Sequence, residues 1–396
     1  MLHSGFLENP AAPPGASVTS NRQPPNTLPL LKFRLADPRD GPKSGLALKP
    51  DPAMPHRAFF TFIFPSLLAM LLFITLPIVS VVVQSLYQEH DAILTTVESV
   101  TPFGTEKQTK VDTEAMAQLK SEQPFGQFAG LTNYTNHNHL AVDDLARIFA
   151  QNKGPGDIAA RLMNLPFYRA LAFTLVYCFT VTPVAMALGF AIALAVNTLP
   201  KLLRGPAIFV SILPMIITPL VGSLILSWMF NPAGIFGATL QTLTGDSALS
   251  LRASPVLTWL VLLNYGIWTN GPFSFVVFYA GLQTVPMDTL ESARIDGASR
   301  WQATRFVIIP HLMPLATFVA LVQLMDNFRV FEPIVGFSAE ANATSLSWLV
   351  FNDLVSQDAQ QFGSAGATSV LTILGVLILL APVLVRTWRD FSRKVA

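Results

Sequence analysis

Polar side chains interrupt two otherwise apolar stretches of this 396-residue sequence. Ionisable groups within an apolar span are costly, and they usually face a cavity or a partner. Amide, carboxylate and aromatic groups together suit a polyhydroxylated ligand, because planar polar groups bind paired hydroxyls and aromatic rings cover the apolar faces of a sugar. The side chains predicted to line a substrate pathway are Asn264, Tyr265, Trp268, Gln323, Asp326, Asn327 and Arg329, with Thr269, Asn270 and Glu332 beside them.

The charged members of this set have a second interpretation. Asp326 and Arg329 are three residues apart, a spacing that lets their side chains pair on one face of a helix. Such a pair would neutralise two charges near the membrane surface without touching a substrate. The sequence leaves both interpretations open.

A polar segment from Glu291 to Trp301 lies between two long apolar runs. It predicts two short helices that meet at Gly297, which ends the first in a left-handed conformation. Ser299 and Gln302 have the spacing of a capping box for the second helix, which is expected to run to Pro310. A rigid element of this kind, held by membrane helices at both ends, is suited to docking a soluble partner.

Motifs of other chemistries are missing from the sequence. There is no G-x-x-x-x-G-K-[ST] segment to hold nucleotide phosphates, no recognisable nucleophile and base, and no convincing metal-ligand spacing. His137 and His139 alternate with asparagines and are interpreted as part of a solvated loop. Cys178 is the single cysteine, so a disulfide within the chain is impossible and a packing role is expected. We therefore expect no catalytic residues, metal or cofactor in this chain.

Composition indicates a membrane protein. The chain is 51% hydrophobic and 12% charged. Soluble domains, in contrast, carry about 25% charged residues. The net charge of +1 and the absence of a basic cluster argue against nucleic acid as a partner. A membrane helix needs about 20 predominantly apolar residues. Six such spans are predicted at residues 58–86, 171–196, 208–230, 256–282, 312–335 and 370–385.

The distribution of basic residues predicts the orientation. With six spans, both termini lie on one side, and that side carries sixteen of the 25 lysines and arginines. Eight lie on the opposite side, and Arg329 is within a span. Cytoplasmic loops are enriched in these residues, so both termini and the segment around Gly297 are expected in the cytoplasm.

Two segments outside the spans complete the predicted organisation. Residues 1–57 are rich in proline and contain no early apolar run, so they are interpreted as a disordered cytoplasmic tail rather than a signal peptide. Residues 88–166 follow the first span, residues 58–87, and are long enough for a small cap or hairpin outside the membrane. Residues 387–396 are expected to form a short cytoplasmic tail.

The polar segment resembles the EAA motif of ABC importer permeases, in its version from carbohydrate permeases of the maltose and glycerol-phosphate type. Val307-Ile-Ile-Pro310 follows it as in that family, and Gly130-Leu131-Thr-Asn133-Tyr134 resembles the family's GLxNY sequence. Ser292 and Thr304 depart from the usual pattern, which leaves the pairing with a particular ATPase open. The matching residues that the resemblance assigns to ATPase coupling are Glu291, Ala293, Asp296, Gly297, Ala298 and Trp301.

The resemblance implies an all-α membrane protein with six transmembrane helices and the type I ABC importer permease fold. The transmembrane domain would cover residues 168–386, with a coupling loop at 284–310. The implied partners are a dimeric cytoplasmic ABC ATPase that holds ATP and Mg²⁺, a second permease subunit in a heterodimer, and an extracytoplasmic substrate-binding protein. The substrate would be a carbohydrate, glycoside or related polyol, and the location the inner membrane with its lipid.

Two other classes compete with this interpretation. An ion-coupled secondary transporter would show broken half-helices in matched repeats, and no such repeat is visible. A membrane-bound enzyme would need a catalytic constellation. Neither class explains the segment around Gly297.

Overall fold

The computed structural model describes residues 56–90, 93–101, 104–151, 154–246, 250, 254–355 and 360–395. The chain divides into two compact units, Met1–Pro65 and Ser66–Ala396. In the first unit the described residues are the start of a helix at His56, so the expected tail at residues 1–57 lies almost entirely outside the described part. Apart from the start of this helix, the elements discussed below belong to the second unit.

Helices dominate the described residues, which confirms the predicted all-α class for the membrane part. In chain order they are α1 (His56–Met70), α2 (Leu76–Gln84), α3 (Thr113–Glu122), α4 (Thr132–Thr135), α5 (Val142–Ala150), α6 (Pro155–Leu162), α7 (Pro166–Thr198), α8 (Lys201–Ile216), α9 (Pro219–Phe230), α10 (Ile235–Thr244), α11 (Pro255–Leu282), α12 (Met287–Ile295), α13 (Arg300–Ala303), α14 (Ile309–Phe328), α15 (Glu332–Gly336), α16 (Leu346–Val355) and α17 (Phe362–Val395). Single π-helical turns, Leu71–Thr75 and Thr304–Ile308, join α1 to α2 and α13 to α14.

Five helical stretches in the described part are long and apolar enough to cross a membrane: Phe60–Gln84, Pro166–Thr198, Pro219–Thr244, Arg300–Phe328 and Phe362–Arg389. They overlap the first, second, third, fifth and sixth predicted spans. Helix α11, at the fourth predicted span, has 28 residues. At the rise of an α-helix its length is about 42 Å. It is long enough to cross a membrane, although polar residues, including Asn264 and Asn270, interrupt its apolar sequence.

The third predicted span was wrong as a single helix. Helix α8 ends at Ile216 and α9 begins at Pro219, with Ile217 and Thr218 extended between them. Proline lacks the N–H needed to continue a helix, and it restricts the preceding residue to an extended conformation.

The fifth predicted span was too long at its C-terminal end, and no helix end separates its start from the preceding segment. Helix α14 ends at Phe328 rather than near residue 335, and the chain begins the separate helix α15 at Glu332. Pro310 does not end a helix. The π turn directly before α14 lets the chain continue through Pro310 into the span.

The last helix is longer than its apolar core. The predicted span at residues 370–385 lies within α17, which begins at Phe362. The short tail expected at residues 387–396 is helical through Val395. The sixth span and this tail therefore form one continuous element.

The segment between the first two spans folds into a small mixed cap that includes a β-hairpin. Strands β2 (Leu94–Thr101) and β3 (Gly104–Val111) pair antiparallel, with Leu94 opposite Val111. Asp112 then caps α3 by accepting hydrogen bonds from the N–H groups of Glu114 and Ala115, as acidic residues at this position commonly do. Strands β1 (Tyr87–Gln88) and β4 (Gln127–Phe128) form a second antiparallel pair that closes the segment onto its own start.

The interpretation of His139 as a solvated loop residue was wrong. Its side chain is 1% exposed, and its Nε2 lies 2.9 Å from the hydroxyl oxygen of Thr368 on α17. His137 is exposed and lies 2.7 Å from a carboxylate oxygen of Asp144. The tight turn between α4 and α5 directs alternate side chains inward and outward. His139 therefore bonds the cap to α17, whereas His137 stays on the surface.

Helices α7, α11 and α14 pack together at the centre of the bundle. Their buried contacts include Phe173, Phe275 and Phe328, each with at most 1% exposure. A Cβ atom at Gly189 of α7 would lie 2.4 Å from Cβ of Ser274 and 2.6 Å from the backbone nitrogen of Phe275 on α11. Small residues allow such close backbone approach between membrane helices.

Candidate translocation cavity and coupling helices

A cavity of about 500 Å³ opens where these central helices meet the breaks in the third and fifth spans. Helix α11 contributes Tyr265, Thr269 and Asn270, and the end of α14 contributes Asp326 and Asn327. Tyr177 of α7 closes one side, and the chain around the breaks supplies Pro219, Arg329, Val330, Glu332 and Pro333. The volume lies within the range of about 300–1,000 Å³ typical of small-molecule sites.

The helix breaks position this lining. The Tyr265 hydroxyl donates to the carbonyl of Pro219, which fixes the start of α9 against α11. Because α14 ends at Phe328, Arg329 and Glu332 lie on the rim instead of continuing along a helix. Unwound backbone at membrane depth is tolerated where it lines a cavity.

Two buried amides from α14 hold the helices around the cavity. Asn327 Nδ2 donates to the Thr182 hydroxyl of α7 at 2.9 Å. Gln323 Nε2 donates to the Asn270 carbonyl at 2.9 Å and to the Ser274 hydroxyl at 2.8 Å, both on α11. Asn327 also lines the cavity, whereas Gln323 lies behind its wall. The side-chain amide oxygen of Gln323, Oε1, is buried and has no hydrogen-bond partner among the described residues.

The predicted ion pair is present. Arg329 Nη2 lies 3.0 Å from Asp326 Oδ1, and both side chains are more than half exposed. An exposed pair of this kind contributes little to stability, about 0–1 kcal/mol. Its charged atoms therefore remain available to a ligand, and both interpretations of the pair stay compatible with the geometry.

The predicted pathway residues do not all reach the cavity. Tyr265, Asp326, Asn327 and Arg329 line it, whereas Asn264 and Trp268 do not. Asn264 is exposed on α11, and the Trp268 ring lies 6.1 Å from that of Tyr265, centroid to centroid. Their place in a pathway remains a prediction.

Tyr177 is the main lining residue that sequence reasoning missed. It lies in the apolar run of α7, and a Cβ atom at Gly266 of α11 would come within 2.3 Å of its hydroxyl oxygen. A tyrosine on one span facing a glycine on another is a helix-packing signal, but it becomes visible only when the pairing of the two helices is known.

The segment with the EAA-like sequence contains the first predicted short helix, α12, and the predicted turn, whereas the second predicted helix is wrong as a separate element because α13 continues through the π turn into α14. Gly297 has φ +80° between α12 and α13, and Ser299 and Gln302 form the predicted capping box. The Ala298 N–H donates to the Ala293 carbonyl at 2.9 Å, which closes the turn.

Helices α12 and α13 carry two exposed large apolar side chains, with Ile295 86% and Trp301 67% exposed. The charged residues Glu291 and Asp296 are exposed on the same segment. Large apolar side chains next to charges suit a protein contact. Sequence reasoning had not singled out Ile295.

No group of three or more histidine, cysteine or acidic side chains could hold a metal ion in the described part of the chain.

Comparison with known proteins gives a consistent result. The family profile of the binding-protein-dependent transport system inner membrane component matches residues 156–390. The trehalose transport system permease protein SugA of Mycobacterium tuberculosis is 30% identical over 234 residues, which cover 59% of this chain and 74% of that protein. The trehalose/maltose transport system permease protein MalF of Thermococcus litoralis is 28% identical, over 53% of this chain and 71% of that protein.

A further permease and a solved structure are also similar to this chain. The sn-glycerol-3-phosphate transport system permease protein UgpA of Agrobacterium fabrum is 26% identical, over 58% of this chain and 78% of that protein. A chain of a bacterial ABC transporter involved in the import of the acidic polysaccharide alginate superposes with a TM-score of 0.58 at 17% identity, covering 84% of this chain and 96% of that one. This last likeness shows the fold.

Proposed function

The chain belongs to the family of binding-protein-dependent transport system inner membrane components, and we propose that it carries a carbohydrate, glycoside or related polyol across the inner membrane. A member of this family is a non-enzymatic permease subunit of an ABC importer, and ATP is hydrolysed by a separate chain. Family membership leaves the ion-coupled secondary transporter and the membrane-bound enzyme without support.

The lining of the first cavity supports this substrate class. Hydroxyl, amide and carboxylate groups surround a space large enough for a sugar, with the rings of Tyr177 and Tyr265 at its wall. Arg329 lies beside two carboxylates, so the three charges leave no excess positive charge for an anion such as a phosphate ester. This arrangement favours a neutral polyol. Trehalose and maltose in the names of two relatives support the same class.

The coupling role is proposed for α12 and α13. ATP and Mg²⁺ would be held by a dimeric ATPase that receives Ile295, Trp301 and the neighbouring charges. A second permease subunit would complete the pathway, and a substrate-binding protein would deliver the substrate from the opposite side. These assignments rest on the family and on the exposed surface described above.

The transport proposal predicts a loss of uptake in a cavity variant. Asn327→Leu should lower ATP-dependent uptake of labelled trehalose or maltose by roughly tenfold, because one hydrogen bond to substrate contributes about 0.5–1.5 kcal/mol and the bulkier apolar group also intrudes. Uptake is measured in cells that lack the native gene and carry the variant, with assembly checked by co-purification of the ATPase.

A matched control separates the cavity from the helix contact. Thr182→Val removes the same bond between α7 and α14 but keeps the Asn327 amide in the lining, so its uptake should fall less than that of Asn327→Leu. Equal losses in the two variants would assign Asn327 to packing. No uptake of either sugar by the parent protein would contradict the proposed substrates. Trp268→Ala tests whether the pathway extends beyond the cavity.

The orientation is also proposed, with both termini in the cytoplasm. A reporter fused after Ala396 should then respond as a cytoplasmic protein, and one inserted beside Lys110 in β3 should respond as an external one. Alkaline phosphatase and a fluorescent protein give opposite readouts at the two positions. Detection of both positions on one side of the membrane would rule out this topology.

A further inference from the structure

A second cavity, of about 470 Å³, lies at the end of the bundle opposite the coupling helices. It is formed where the cap between the first two spans meets α16 and the start of α17, with Arg169 at the beginning of α7. It shares no lining residue with the first cavity. In the proposed orientation it faces the compartment from which substrate arrives.

The walls of this cavity are fixed by polar contacts between distant parts of the chain. His139 Nδ1 lies 2.8 Å from Asn136 Oδ1, and its Nε2 bonds with α17 as described above. The Ser364 hydroxyl donates to Asp353 at 2.7 Å, and the Gly363 N–H donates to Glu89 at 2.6 Å. Burial lowers the pKa of His139 and raises that of Asp353. The cap, α16 and α17 therefore hold one another in place around the space.

Several exposed polar groups converge on this cavity, where their hydrogen-bonding atoms are accessible to a ligand. Among the described residues, four lining amide side chains have no hydrogen-bond partner: Asn138, Asn164, Asn352 and Gln361. The indole N–H of Trp348 also has none there, and its ring supplies an apolar face. Amides donate and accept hydrogen bonds at adjacent atoms, which matches neighbouring hydroxyls on a sugar ring.

Charged residues also line the second cavity. Arg169 donates one N–H to the Ala341 carbonyl at 2.6 Å and keeps others free. Glu340 and Asp353 lie on the same cavity, so its charge is mixed and slightly acidic. An anionic ligand is disfavoured by this balance, whereas a neutral polyhydroxylated ligand can use every group.

One short stretch of chain contributes to the walls of both cavities. The Ser345 hydroxyl donates to the carbonyl of Val330, which lines the first cavity, and Thr344 beside it lines the second. We propose that the second cavity is an outer saccharide subsite, which receives a neutral sugar before it enters the first cavity. This inference rests on the proposed carbohydrate function.

Binding to the purified complex tests the subsite. The permease is isolated with its ATPase and second permease, without nucleotide and without the binding protein, and carries Asn327→Leu to disable the first cavity. Saturation-transfer NMR with maltose and trehalose should detect binding. The added pair Asn352→Leu and Gln361→Leu should weaken it at least about fivefold, through the loss of two hydrogen-bonding groups. Gln151→Leu, an exposed amide of the cap outside the cavity, is the matched control and should have no effect.

Other outcomes overturn the inference. Absence of binding, or binding that the paired substitution leaves unchanged, would show that this cavity is not a sugar site. Binding of glycerol 3-phosphate alone would contradict the neutral ligand. If no sugar binds, weaker association of separately added binding protein with the paired variant would identify a protein-docking recess instead. Normal uptake by the parent protein alongside any of these results leaves the proposed transport function standing, whereas absent uptake refutes that function separately.

Discussion

Replacing Gly297 with valine is expected to abolish transport while the membrane helices still insert. The glycine has φ +80°. A left-handed conformation costs a residue with a Cβ about 1–2 kcal/mol, and β-branched residues are affected most. A change of this size is confined to one exposed turn and cannot unfold the bundle. It would move α13 relative to α12 and so remove the shape that the ATPase is proposed to bind. Uptake, and the amount of ATPase that co-purifies, should both fall to background.

The Gly297→Asn variant is the control, because asparagine tolerates positive φ better than other residues. Among the described residues, apart from the two chain neighbours of Gly297, no atom lies within 4 Å of a Cβ placed there, so the described fold does not exclude a larger side chain. The asparagine variant should keep part of its ATPase association. Normal uptake by Gly297→Val would show that this turn does not couple the two subunits.

The second large effect is expected at the crossing of α7 and α11. Gly189→Ala would place a methyl group 2.4 Å from Ser274 and 2.6 Å from backbone of Phe275, and neither neighbour is the end of a flexible side chain. The helices must separate, which costs at least about 1–3 kcal/mol at an overpacked position. Because the lining of the first cavity comes from these helices, we expect loss of both thermal stability and uptake.

Gly271→Ala is the matched control on the same crossing. A Cβ there would meet only Cδ2 of Leu188 at 3.5 Å, an ordinary contact. Alanine in a helix is also favoured over glycine by about 0.5–1 kcal/mol. Its melting temperature in detergent should therefore equal or exceed that of the parent. An unchanged melting temperature for Gly189→Ala would mean that the two helices do not approach as closely as described.

The turn around Gly297 could be predicted because its structure follows from local rules, whereas the continuation of α13 into α14 could not. A glycine after Asp296 ends a helix, and Ser299 with Gln302 begins the next, whatever surrounds them. The approximate positions of the membrane helices followed from apolar length alone. These features need no knowledge of which helices are neighbours.

The lining of the cavity could be predicted only in part, because the residues that reach it depend on which helices are neighbours. Asp326 and Asn327 were found by their polarity within a span. Tyr177 and Thr182 were not, because their roles appear only when α7 lies against α11 and α14. His139 was misinterpreted for the same reason, since its partner Thr368 is 229 residues away in sequence.

The uninterrupted helical path from Arg300 to Phe328 has a mechanical consequence. It contains 29 residues. At the rise of an α-helix this path is about 43 Å long, with the proposed ATPase contact at one end and Asn327 near the other. Because Gln323 and Asn327 bond its far end to α11 and α7, this rod would act as a lever that transmits a displacement at Trp301 to the helices around the cavity. The π turn at Thr304–Ile308 adds a residue to one turn and rotates everything beyond it relative to a regular helix. It therefore sets the direction in which such a lever would open the cavity.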